Sequence, residues 1–158
     1  MESSVIIKTP LGFAAISGHP NGITKIHVCD DEMELSDNIP EHLQNAISQL
    51  QEYFEGKRHY FDFEIDPKGT EFQQKVWGEL KNIPYGKTMS YQELSIKLGD
   101  IKAIRAVANA NGKNPLWIVV PCHRVIGSDG SLTGYAGGLW RKKWLLEHEN
   151  PVKQQSLF

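Results

Sequence analysis

The chain has 158 residues, with 17 Lys+Arg against 19 Asp+Glu, a net charge of −2, 40% hydrophobic and 23% charged residues. This composition fits a globular protein and excludes a disordered or fibrous one. No apolar run reaches membrane-spanning length and no secretory leader opens the sequence, so an intracellular protein is expected, cytoplasmic or, in a eukaryote, nuclear.

The charge is unevenly spread. Residues 1–67 hold four basic and twelve acidic side chains, and the remainder hold thirteen basic and seven acidic. A basic second half is the electrostatic footprint of nucleic-acid binding; equally, it is one of two oppositely charged surfaces that attract each other. The two cysteines, Cys29 and Cys122, lack CxxC spacing and offer neither a disulfide framework nor a zinc ligand set. Reduced thiols and no metal are expected.

The opening stretch SVIIKTPLGFAAISGHPNGITKIHV holds three apolar runs separated by Thr9-Pro10-Leu11-Gly12 and His19-Pro20-Asn21-Gly22. An Asn-Gly pair between apolar runs predicts a hairpin. Asp30 to Asp37 reads as an acidic surface loop. Leu43, Ala46, Ile47, Leu50, Tyr53 and Phe54 then recur at helical spacing, with Pro40 suited to the first helical position and Gly56 to the stop. HYFDFEID alternates strictly, which predicts a half-buried strand, and Pro67-Lys68-Gly69 marks a domain boundary.

The second half reads as mostly helical. Thr70 with Gln73 forms one candidate capping box, heading a helix with Phe72, Val76, Leu80 and Ile83 as its stripe. Ser90 with Glu93 forms another, and that short helix stops at Gly99. A further helix, AIRAVANANG, follows after three residues, so the pair has the look of a helix-turn-helix, a weak signal alone. WIVV predicts a buried strand running into PCHRVIG, and GLWRKKWLLEHE predicts a final helix.

Cys122 and His123 together suggest a nucleophile and its base, although adjacent strand residues point to opposite faces. Pro121 ends the strand, so the chain is free to turn there. The imidazole can also act through a water, and Glu147 or Glu149 is a candidate to orient it. The competing reading is a buried, inert thiol.

PCHRVIG at 121–127, together with GYAGG at 134–138, resembles the active-site region of the O6-alkylguanine-DNA alkyltransferases, or methylated-DNA–protein-cysteine methyltransferases. The similarity extends through FQQKVWGELKNIPYGKTMSYQELS, AIRAVANANGKNP, LWIVVPCHRVIG and TGYAGGLWRKKWLLEHE. It covers residues of about 68–150, and residues 1–67 match only in general pattern.

The resemblance implies an α+β fold. Residues 1–67 would form an α/β, ribonuclease-H-like lobe with a small antiparallel sheet and a helix. Residues 68–158 would form a mostly helical lobe with a winged-helix-like helix-turn-helix, carrying the DNA-binding surface and active site. It also implies DNA repair by direct reversal. One alkyl group passes irreversibly from O6-alkylguanine, and from O4-alkylthymine, in double-stranded DNA to Cys122, by minor-groove binding and base flipping. His123 would take the thiol proton through water, Glu149 would orient His123, and Asn114 would brace the turn. Tyr91 would rotate the target phosphate and donate to the base. Arg105 would fill the gap left by the flipped nucleotide, with Ala106 and Ala108 permitting close approach and Ile104 standing where the family can have a smaller side chain. Trp117, Val125, Tyr135, Ala136 and Lys142 would line or tether the pocket, with Trp117 bearing on tolerance for bulky alkyl groups.

Some family members carry zinc in the first lobe, but Cys29 alone does not supply that site, so neither metal nor cofactor is expected. The protein would act as a monomer, away from membranes. The alternatives are a helix-turn-helix DNA-binding protein without alkyl transfer, and a Cys-His hydrolase.

Overall fold

The computed structural model describes residues 2–135 and 137–151. The fold is α+β, with a three-stranded antiparallel sheet, a two-stranded parallel pair and five α-helices among the described residues. The chain divides into two compact units. One comprises the chain up to Lys68 together with Pro115–Val119, and the other comprises Gly69–Asn114 and the chain from Val120 onward. No described helix is long and apolar enough to cross a membrane.

In the first unit β1 (Ser3–Thr9), β2 (Gly12–His19) and β3 (Gly22–Cys29) form the sheet in that order. The second hairpin forms where expected, but it pairs His19 with Gly22, so its two-residue turn is Pro20-Asn21 and Gly22 opens β3. Val5, Ile7, Ala14, Ile16, Ile26 and Val28 are buried. Helix α1 (Glu41–Phe54) packs on the sheet through Leu43, Ala46, Leu50 and Tyr53. Pro40 sits at its cap, and Gly56, at φ 77, takes the left-handed conformation that ends it. Ser36 joins the acidic loop to β1, where the Ile6 amide donates to its hydroxyl at 2.9 Å.

Two expected strands do not form. Residues 59–66 touch β3 only at Ile65, through Ile23 N–H to Glu64 O at 3.0 Å and Asp66 N–H to Ile23 O at 2.7 Å. The rest of that edge is taken by another segment, because Ile26 N–H donates to Pro115 O at 2.9 Å and Trp117 N–H to Ile26 O at 3.2 Å. Two short stretches of chain thus divide one edge. The alternation of Phe61 and Phe63 reflects packing, with Phe61 lying 5.7 Å from Tyr53 and 5.9 Å from Phe63 between ring centroids. Trp117, Ile118 and Val120 are buried, but the chain turns at Ile118, whose φ is 71 and around which Val119 N–H donates to Trp117 O at 2.8 Å. This is a γ-turn that a β-branched residue adopts only under strain, of about 1–3 kcal/mol.

In the second unit α2 (Glu71–Leu80) and α3 (Tyr91–Lys97) both start with complete capping boxes, Thr70/Gln73 and Ser90/Glu93. Val76, Trp77, Leu80 and Ile83 are buried, whereas Phe72, placed in the same stripe by its spacing, is 38% exposed. Gly99, at φ 94, ends the α3 turn, and a 3₁₀ turn at Ile101–Ala103 leads into α4 (Ile104–Gly112). The Trp77 indole donates to Ala110 O at 2.9 Å, tying α2 to α4. Strands β4 (Met89–Ser90) and β5 (Val125–Ile126) pair in parallel, and α5 (Leu139–Glu149) closes the unit.

Candidate active site

The site is built on a turn. Pro121, at φ −81 and ψ 66, centres an inverse γ-turn in which Cys122 N–H donates to Val120 O at 2.8 Å. A 3₁₀ turn over Cys122–Arg124 follows at once. Successive side chains on such a turn are about 120° apart, not 180° as on a strand. Cys122 and His123 are therefore not forced to opposite faces. Asn114 braces the turn, its amide donating to Val120 O at 2.6 Å and to Cys122 Sγ at 3.3 Å.

Cys122 is buried. Burial pushes its thiol up, while the Asn114 hydrogen bond and the Lys142 charge pull it down. The resting thiol is protonated and needs a base.

His123 is fully buried, and its Nε2 lies 2.7 Å from Glu149 Oε2. Burial holds the imidazole below its usual value, against the pull of the neighbouring carboxylate. It is neutral at neutral pH. Burial alone would raise the Glu149 carboxyl, but His123 and Arg124 outweigh it and hold the group well below the ordinary carboxylate range. Ionised Glu149 only accepts, so the single imidazole proton sits on Nε2. Nδ1 is then a lone-pair acceptor, and it is buried with no partner among the described residues. A neutral imidazole oriented in this way is a general base whose free nitrogen is Nδ1.

Arg124 completes the assembly and was not singled out from the sequence. Its Nε and Nη2 donate to the two Glu149 oxygens at 2.8 and 3.0 Å, and its Nη1 donates to Ile83 O at 2.7 Å. Its guanidinium also lies 5.7 Å from the Tyr85 ring centroid. The signal was present: an arginine within IVVPCHRVI is flanked by apolar residues, and a buried arginine needs a carboxylate. Of the two carboxylates considered, Glu149 makes the contact, while Glu147 lies 3.9 Å from Lys143.

A groove of about 500 Å³ is lined by Tyr91, Ile104, Arg105, Ala108, Gly112, Thr133, Gly134 and Tyr135. Arg105, Ala106 and Ala108 are exposed on α4. The Tyr91 hydroxyl donates to Thr133 O at 3.2 Å and Gly134 O at 3.4 Å. Lys142, fully buried, donates to the same Thr133 O at 2.8 Å, with its ammonium 5.8 Å from the Tyr91 ring centroid. Burial pulls the Lys142 ammonium down to about 8. Gly138, at φ 93, caps α5 and lets the chain turn into the helix.

The remaining expected residues are dispersed. Val125 is buried in β5, opposite Met89. Trp117 belongs to the first unit, 5.9 Å from Phe54 between ring centroids. Ala136 lies outside the described residues. Among the described residues no group of three or more His, Cys, Asp or Glu side chains could hold a metal ion.

Two family models match the chain: the ribonuclease-like domain of 6-O-methylguanine DNA methyltransferase over residues 5–67 and the DNA binding domain of that family over residues 71–151. A methylated-DNA–protein-cysteine methyltransferase of Mycobacterium bovis is 46% identical over 147 residues, covering 90% of this chain and 89% of the relative. The crystal structure of Mycobacterium tuberculosis O6-methylguanine methyltransferase is 43% identical with a TM-score of 0.85, covering 96% of this chain and 94% of that one. A Mycobacterium tuberculosis structure of OGT in complex with DNA is 44% identical with a TM-score of 0.84, covering 92% and 91% of the two chains.

Proposed function

The chain belongs to the 6-O-methylguanine DNA methyltransferase family, and on that premise we propose that it repairs O6-alkylguanine in double-stranded DNA by moving the alkyl group onto Cys122. The observation that carries the reading is the Cys122–Asn114 turn beside a neutral His123 whose Nδ1 is free and whose Nε2 is held by Glu149.

The reacting carbon is hidden within a duplex, so the nucleotide leaves the stack. Arg105 occupies the gap, Ala106 and Ala108 allow close approach to the minor groove, and Tyr91 meets the target phosphate and base. Tyr135, Val125 and Lys142 bound the flipped base. The thiol proton passes through water to His123 Nδ1. The thiolate attacks the alkyl carbon in line, the S–C bond forming as the C–O6 bond breaks. The electron pair returns to the purine, whose ring nitrogen takes up one proton as His123 gives its own back to water, leaving guanine and a neutral imidazole. Proton and charge balance without a metal or cofactor. O4-alkylthymine presents the same bond and is a second substrate.

The thioether product carries a poor leaving group that neither an imidazole nor a carboxylate hydrolyses, so each molecule acts once. The protein works as a monomer in the compartment that holds the DNA, the cytoplasm or, in a eukaryote, the nucleus. Duplex DNA with O6-methylguanine, mixed in excess with the protein, should lose lesions to a plateau of one per protein molecule. Continued turnover past that plateau would point to the hydrolase reading, and no loss of lesion to a DNA-binding protein without chemistry.

A further inference from the structure

Asn111 lies on α4 beside Gly112, a lining residue of the groove, and is 1% exposed. Burial raises the Tyr91 phenol, and a hydrogen bond from the Asn111 side chain, on the neighbouring helix, pulls it down. Asn111 Oδ1 is buried with no partner among the described residues. Hydrogen-bond logic fixes the direction of the contact. The Tyr91 hydroxyl has one proton, and that proton faces the carbonyls of Thr133 and Gly134 at 3.2 and 3.4 Å. Carbonyls only accept. Were the Asn111 amide turned over, Oδ1 would meet a phenol oxygen whose proton is already given away. The amide N–H therefore faces Tyr91, and Oδ1 is the atom left over.

We propose that Asn111 is a positioning residue for alkyl transfer: its N–H occupies the Tyr91 oxygen, so that the phenolic proton points into the groove, resting on the loop carbonyls and passing to an acceptor on the flipped nucleotide during repair. The proposal rests on the reading of Tyr91 as a donor to the target. The hand-over leaves Thr133 O with the Lys142 ammonium at 2.8 Å and Gly134 O on an exposed residue. The same ammonium, 5.8 Å from the Tyr91 ring centroid, holds the phenol in place while its proton changes partner.

The test is a double-mutant cycle on single-turnover repair of duplex O6-methylguanine, with Asn111→Leu, Tyr91→Phe and the pair. Asn111→Leu should slow repair about tenfold, the size of one lost hydrogen bond in a buried site, and should add nothing to Tyr91→Phe. Equal losses in both backgrounds would make Asn111 a packing residue and overturn the proposal. Repair by Tyr91→Phe at the wild-type rate would overturn it from beneath, by removing Tyr91 as the donor. Asn111→Asp fits the same space and serves if the leucine variant does not fold. It accepts where asparagine donates, so it should draw the phenolic proton away and slow repair likewise, and a wild-type rate counts against the proposal. A second readout is the titration of Tyr91 by NMR of ¹³Cζ-labelled tyrosine. Burial and Cys122 already raise the phenol, so Asn111→Leu, which removes a bond that lowers it, should raise it further, and an unmoved titration also overturns the assignment.

Discussion

Glu149→Gln changes one oxygen for an NH₂ group and perturbs the relay at its centre. The Glu149 carboxylate accepts from His123 at 2.7 Å and from two nitrogens of Arg124 at 2.8 and 3.0 Å. Glutamine cannot accept all three. If its oxygen stays on Arg124, its NH₂ faces His123 Nε2 and turns the imidazole over, placing the proton on Nδ1. The base then has no lone pair where the thiol proton arrives. General-base catalysis contributes about 10²–10⁴ in rate, so single-turnover repair should fall by that factor. Arg124, only 6% exposed, loses its counter-charge, at a cost of about 3–5 kcal/mol in stability.

Two pH signatures separate these effects. Without a base, the rate should follow the thiolate fraction of a thiol already raised by burial, so it should climb about tenfold per pH unit in the variant and less steeply in the wild type. The Glu149 carboxyl is depressed in the folded state. Its stabilisation is present above the unfolded value near 4.5 and lost as the pH falls below it. The glutamine variant should lose that part of the acid sensitivity. Rapid-quench repair assays and thermal melts between about pH 4 and 9 read both. A folded Glu149→Gln protein that repairs within about threefold of wild type at neutral pH would refute the relay, since the argument requires at least a hundredfold loss.

Arg105→Ala should slow repair of duplex DNA far more than reaction with free O6-benzylguanine, and equal losses would count against the role of Arg105 in filling the duplex. Lys142→Met removes a buried ammonium held down at about 8, against 10.5 unfolded. The cost of burying that charge is full below about 8 and gone above 10.5, so wild type should gain roughly 3 kcal/mol on the variant across that window, and a pH-independent difference in melts would contradict it. Thr70→Ala breaks the α2 capping box and should cost about 1 kcal/mol in stability while leaving the repair rate unchanged. Affinity for undamaged duplex should fall steeply between about 50 and 200 mM salt, and a flat response would argue against phosphate contacts.

Local signals in the sequence carried well into the structure. Both capping boxes form, the Asn-Gly hairpin closes at Gly22, and Gly56 and Gly99 end their helices at positive φ. These depend on neighbours within a few residues. Strand signals that depend on distant backbone partners did not carry. The alternation at 59–66 could not disclose that Pro115 and Trp117 occupy the rest of the β3 edge. The apolar run 117–120 could not disclose the turn at Ile118. Within the site, Cys122, His123 and the Glu147 or Glu149 partner were read from the residues, and Asn114 came with the family resemblance. The Arg124 fork onto Glu149 spans 25 residues and its bond to Ile83 O spans 41, so only folding reveals them. The contact of Asn111 with Tyr91 joins two helices and was equally hidden.

The central claim is covalent, and mass spectrometry tests it most directly. Protein incubated with duplex DNA containing O6-methylguanine should gain the mass of a single methyl group replacing hydrogen, peptide mapping should place it on Cys122, and Cys122→Ala should gain nothing while still binding the duplex. An unchanged protein mass with the lesion intact, or a methyl group on any residue other than Cys122, would contradict the account.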